Sequence, residues 1–172
     1  MRLTILFILL WVAVGQSYGQ TSTPMTPRIA ARLILVDSLS PSDDSMTFMV
    51  MDSIIAARKD IRDYYFPAFQ KISEKADGAL AEVIGSYVLL YVKQYPKEFS
   101  DRYSYCLKRN NCDNMTRLAS FAGEETMMRD DNQKEYSDLV DQMTAKYKNW
   151  RQDKLLSKFI ERVDKVRREW KD

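Results

Sequence analysis

Apolar residues recur along this chain at intervals of three and four, separated by short clusters of Pro, Gly, Ser, Asp and Asn. Residues so spaced share one face of an α-helix, so the pattern predicts amphipathic helices throughout. Thr26-Pro27 offers an N-cap with proline at the first helical position, and Ile29, Leu33 and Val36 then hold one face. The stretch at 38–45 stops that helix and starts a second. Ser40 can cap it, Pro41 can take the first position, and Asp43 and Asp44 suit the positive end of the helix dipole. Met46, Met49, Val50, Ile54, Ala57 and Ile61 form its apolar face. Pro67 disfavours helical backbone at Phe66, which predicts a break there, a short helix over 68–75 and a turn at Asp77-Gly78.

The most regular stripe follows. Leu80, Val83, Ile84, Tyr87, Val88, Tyr91, Val92 and Tyr95 keep one face, and Leu89 and Leu90 add apolar surface beside it, as expected of a central helix. Pro96 ends this helix and opens the next, with Phe99, Tyr103, Cys106 and Leu107 on one side. Asp113 can cap a short helix of Met115, Leu118, Ala119 and Ala122, closed by Gly123. Beyond it, Tyr136, Leu139, Val140, Met143, Tyr147 and Trp150 make one stripe. Leu156, Phe159, Ile160, Val163, Val166 and Trp170 make another, with a turn around 149–153 between them. The prediction is all-α: a compact multi-helix bundle or short αα-superhelix of about six to eight helices. Glycine and proline, five each, are too sparse for a β-sandwich.

The first twenty residues have a different pattern. Arg2 precedes an apolar run over 3–14, and small and polar residues follow. The run is shorter than the ~20 residues needed to span a bilayer. It reads as a secretory signal peptide over 1–19, cut after Gly19, with Gly15 as a second option. Residues 20–172 then form a single helical domain, large enough to bury roughly 68–70% of its unfolded surface. The expectation is an exported chain, periplasmic or extracellular, with no further membrane-spanning segment.

Composition narrows the chemistry. The chain carries no histidine, which removes Ser-His-Asp and Cys-His catalysis and most zinc sites. No metal or cofactor is expected. The formal charge of +2, or +1 without Arg2, gives no general argument for nucleic acid. Carboxylates are the one plentiful catalytic group. Glu82, Glu124 and Glu125 could run glycoside hydrolysis if two were held ~5–9.5 Å apart.

Cys106 and Cys112 are the two cysteines. In one continuous helix their Cα atoms would lie ~9 Å apart, whereas a disulfide requires less than ~7 Å. Asn110-Asn111 favours a helix end between them. A disulfide-locked corner is therefore expected, ahead of two free thiols or a redox pair, because an exported chain meets an oxidising compartment.

Four further features are candidates for function. Arg151, Lys154, Lys158, Arg162, Lys165 and Arg168 line one face of the last helix, a possible docking surface for an anionic partner. Tyr87, Tyr91, Tyr95 and Tyr103 could line an aromatic groove for a small ligand, peptide or sugar. Asn114-Met115-Thr116 matches the N-glycan acceptor. Asp37-Ser38-Leu39, Asp44-Ser45-Met46 and Asp52-Ser53-Ile54 resemble the Asp-Ser-apolar O-glycan acceptor used on exported proteins by some Gram-negative bacteria. The reading that fits these features best is a non-enzymatic interaction domain of the bacterial envelope, partnered by an unidentified protein or an anionic envelope component. A carboxylate hydrolase of envelope glycan and a small-ligand binder are the alternatives.

Overall fold

A computed structural model describes residues 25–109, 112–129 and 131–169. The segment 1–19 expected to be a signal peptide, residues 20–24, Asn110-Asn111 and Trp170 lie outside the described residues. The described chain forms eight α-helices and no strand. They are α1 (Pro27–Leu35), α2 (Ser45–Asp52), α3 (Lys59–Lys75), α4 (Gly78–Gln94), α5 (Pro96–Arg109), α6 (Asp113–Met128), α7 (Asn132–Lys146) and α8 (Lys154–Glu169). Short 3-10 turns over Ser53–Ile55 and Trp150–Gln152 join α2 to α3 and α7 to α8.

Helices α4, α6 and α8 make the middle of the bundle: α6 packs along both of the others. Glycine lets them close up. A Cβ on Gly123 would stand 2.7 Å from Val166 Cβ and 2.9 Å from the Val163 carbonyl, so only a hydrogen lets α6 lie this close to α8. Gly85 plays the same part between α4 and α6, where a Cβ would meet Glu125 Cβ at 2.7 Å. Helix α7 covers α4, and α1 and α2 cover α3. An aromatic seam ties α3, α4, α5 and α8 together. Phe66 stacks near Tyr91 and Tyr103, and Phe99 meets Tyr103 and Phe159 with ring centroids 4.9 Å apart in each pair. These rings are almost fully buried, each contributing about 1.5–3 kcal/mol of hydrophobic stabilisation or more.

Three expected boundaries move. The break expected at Pro67 is absent, and α3 runs through it as one helix. Pro67 is exposed, while Phe66, Ala68, Phe69 and Ile72 around it are buried, and their packing outweighs the lost backbone bond. The chain breaks instead at 56–58, where Arg62 and Tyr95 hydrogen-bond the freed carbonyls. The cap of α2 is Asp44, whose carboxylate accepts from Thr47 N–H at 2.8 Å, rather than Ser40. Gly123 does not close α6; the helix continues to Met128 because Gly123 serves packing.

Candidate functional site

The deepest polar cluster is built around Arg62 on α3, which is 4% exposed. Its Nη1 donates to the carbonyls of Ala56 and Ala57 at 2.6 and 2.8 Å, and its Nη2 donates to Glu98 Oε2 at 2.6 Å. The guanidinium lies over the Tyr95 ring, 3.6 Å from its centroid. Glu98 also accepts from Tyr91 Oη at 2.7 Å and from Arg102 Nη2 at 2.6 Å, and Arg102 reaches Asp63 as well. Burial pushes the Glu98 carboxyl up, but Arg62, Tyr91 and Arg102 overcome it and hold the group at about 2. Burial and the neighbouring Glu98 push the Tyr91 phenol up. Near neutral pH the cluster is thus a fixed arrangement of two cations and an anion with no proton to exchange. It is a clamp joining α3, α4 and α5. The sequence carried one signal of it: Arg62 stands one turn before Phe66, on a face that is otherwise apolar.

The four tyrosines expected to share a groove do not do so. Tyr91 and Tyr103 are each 1% exposed and belong to the aromatic seam, so neither ring is open to a ligand. Tyr95 supports Arg62 from below, and Tyr87 turns its hydroxyl to Asp52. Tyr87, Tyr91 and Tyr95 stand on the predicted stripe of α4 and Tyr103 on that of α5, and both stripes pack into or against the core.

Cys106 and Cys112 are joined as a disulfide, with Cα atoms 4.9 Å apart across the α5–α6 corner. Such a bond marks an oxidising compartment. A hollow of about 380 Å³ lies beside it, bordered by Tyr105, Arg109, Arg117 and Glu74. Asn114 sits there in the first turn of α6. Its amide is already engaged, accepting from Tyr103 Oη at 3.0 Å and donating to Glu74 at 3.2 Å. As an N-glycan acceptor it is therefore tied into the fold.

The six basic residues of the last helix and its approach lie opposite its buried stripe of Leu155, Leu156, Phe159, Ile160 and Val163. They fall into two halves. In the second half, Arg162 donates to Ser120 at 3.1 Å, Lys165 pairs with Glu169 and Arg168 pairs with Asp164. In the first half, Arg151 stacks on Trp150, and Lys154 and Lys158 are exposed with no ion pair among the described residues. Glu161 interrupts the row between them. Asp153 anchors the start of the helix by accepting from the Leu155 N–H at 3.1 Å and from Ser100 Oγ at 2.6 Å. This open half is a fixed display of positive charge.

Carboxyl groups offer less. Among the described residues, each carboxyl with a displaced pKa is displaced downward: Asp37, Asp44, Asp60, Asp63 and Glu98. Glycoside hydrolysis needs a carboxylic acid displaced upward, to keep its proton near neutral pH. Glu125 is bound to Ser86 at 2.7 Å and to Arg129. Among the described residues, no group of three or more Cys, Asp or Glu is placed to hold a metal ion. No helix of the described residues is long and apolar enough to cross a membrane. Comparison with known proteins finds no matching family model, no similar curated protein and no similar solved structure.

Proposed function

We propose that this chain is an exported, non-enzymatic binding domain of the bacterial envelope that holds an anionic partner against the open half of the α8 face. The observation that carries this reading is Lys154 and Lys158, exposed one turn apart with no ion pair among the described residues, on a helix whose other cations are ion-paired or, at Arg162, hydrogen-bonded to Ser120. Unpaired cations held on a rigid element attract polyanions without having to break an existing bond first. The hydrolase alternative finds no raised acid to work with. The groove alternative loses two of its four rings to the core. Support for export comes from the leader pattern at 1–19 and from the disulfide, which the reducing cytosol would oppose.

Co-purification from the native host in low and high salt tests this. The partner is expected to stay bound at low ionic strength and to leave on raising it, and the Lys154→Glu/Lys158→Glu variant is expected to lose it. A partner retained by that variant and indifferent to salt would overturn the reading.

A further inference from the structure

The three Asp-Ser-apolar triplets have an ordinary explanation: Asp and Ser are both favoured at helix ends. The structure allows that explanation to be checked triplet by triplet. It accounts for Asp44-Ser45-Met46, because Asp44 is the N-cap of α2, bound to the Thr47 N–H and to Ser42 Oγ. It accounts for Asp52-Ser53-Ile54 as well. Ser53 lies in the 3-10 turn, half-buried, with its hydroxyl donated to the Met49 carbonyl at 2.9 Å.

It does not account for Asp37-Ser38-Leu39. Helix α1 ends in a paired-bond turn, with Ser38 N–H on the Leu33 carbonyl at 2.8 Å and Asp37 N–H on the Ile34 carbonyl at 3.2 Å. In that turn the residue after the C-cap takes left-handed backbone and is usually Gly, sometimes Asn. The one following often packs an apolar side chain back on the helix. Here the first is Asp37, at φ +57°, the only non-glycine residue with positive φ among those described. The second is Ser38, exposed, with a hydroxyl that makes no hydrogen bond among the described residues. Asp37 has a structural return, since its carboxylate pairs with Lys71 and Lys75 on α3, but Ser38 goes against the helix-end preference and its exposed hydroxyl finds no partner among the described residues, which points to a use. Leu39, the apolar third member, is half-buried beside them.

We propose that Ser38 is an O-glycosylation acceptor, with Asp37 and Leu39 as the flanking residues that the transferase reads. The donor class is a glycosyl diphosphate. Ser38 Oγ attacks the anomeric carbon, the new C–O bond forms as the bond from that carbon to the phosphate oxygen breaks, and the diphosphate leaves with the electron pair. The hydroxyl proton passes to a base of the transferase. Recognition of Asp37 needs only the release of its exposed pairings with Lys71 and Lys75. Recognition of Asp44 would undo the start of α2. The site lies outside every helix, with Asp37 and Ser38 both exposed at the end of α1.

The proposal rests on the export reading, and one measurement separates the two. Residues 33–58 contain all three triplets and no internal Lys or Arg, so trypsin releases them as one peptide. The chain is purified from the cell that makes it, its intact mass is taken, and this peptide is fragmented by electron transfer. A mature chain lacking 1–19 and carrying a glycan on Ser38 is expected. Ser38→Ala and Asp37→Asn should both abolish the glycan, and Ser45→Ala should leave it. Asp37→Asn keeps a residue that tolerates left-handed backbone, so the fold is retained. A mature chain with a bare peptide, a glycan on Ser45 or Ser53 alone, or a Ser38 glycan indifferent to Asp37→Asn would overturn the proposal while sparing export. A chain that retains its leader would overturn both.

Discussion

Glu98 shows how one residue can set the acid response of a helical bundle. Folded, it is held at about 2 by Arg62, Tyr91 and Arg102 against burial; unfolded, it titrates near its ordinary 4.5. Above pH 4.5 it is ionised in both states and its contribution is complete. As pH falls from 4.5 towards 2 the unfolded chain takes the proton first, so the contribution shrinks, and below 2 it is gone. The difference corresponds to on the order of 3 kcal/mol. Asp37, Asp44, Asp60 and Asp63 are lowered too, so acid weakens the wild type through several groups at once. Glu98→Gln isolates one of them. At pH 7 it is expected to cost about 3–5 kcal/mol, because it removes the anion that the largely buried Arg62 and Arg102 share. Between pH 5 and 2.5 it should lose less stability than wild type does. Urea midpoints across that range read the difference; parallel pH profiles for the two proteins would remove Glu98 from the account. Little of this was visible in the chain order: Arg62 stands on an otherwise apolar face, but its partner Glu98 lies 36 residues away and looks like an ordinary surface charge.

At the scale of the helix, two residues that break local rules point in opposite directions. Pro67 lies in the interior of α3, exposed, where it removes a backbone bond and gives little in return. Pro67→Ala is expected to stabilise the protein by about 1–3 kcal/mol, the helix-interior cost of proline less its benefit to the unfolded chain. Gly123 lies in the interior of α6 as well, but Val163 and Val166 occupy the space its side chain would take. Gly123→Ala should therefore destabilise by about 1–3 kcal/mol in spite of the better helix propensity of alanine. Thermal melts of the two variants should move apart from wild type in opposite directions, and a shared direction would contradict the packing argument. The pair also shows what periodicity could convey. It conveyed which faces are apolar, since each stripe from Leu80 to Val166 is largely buried. It placed the starts of α1 at Pro27 and α5 at Pro96. It could not tell a glycine that ends a helix from one that admits a neighbour, or a proline that breaks a helix from one the core overrides. Those outcomes depend on residues distant in sequence. The cysteines were more legible, because six residues of helix are simply too long for a disulfide. The closed loop is small, so reduction or Cys106→Ser/Cys112→Ser should cost only roughly 2–2.5 kcal/mol. Denaturant unfolding with and without reductant measures it, and no change would mean the corner is held by packing alone.

On the scale of the whole molecule the charge is nearly balanced, and function must be sought in how it is distributed. Residues 124–141 are acidic and residues 146–171 are basic, so opposite signs lie on neighbouring stretches of chain. The sequence pattern gave six cations on the last helix equal standing. The fold does not, because Asp164, Glu169 and Ser120 occupy the second half of the row and leave Arg151, Lys154 and Lys158 in the first. A paired cation offers a polyanion little, since binding must displace a carboxylate already in place. A free one exchanges only water and loosely held counterions. Reversal of charge at Lys154 and Lys158 is thus expected to weaken retention on an immobilised polyanion clearly more than reversal at Lys165 and Arg168, although each pair changes the net charge equally. The contrast should be sharpest below about 0.1 M salt, where screening extends beyond roughly 10 Å, and should fade as the salt rises. Two variants eluting together at every ionic strength would mean that net charge alone governs the interaction. The open half of α8 would then have no special claim as the docking face.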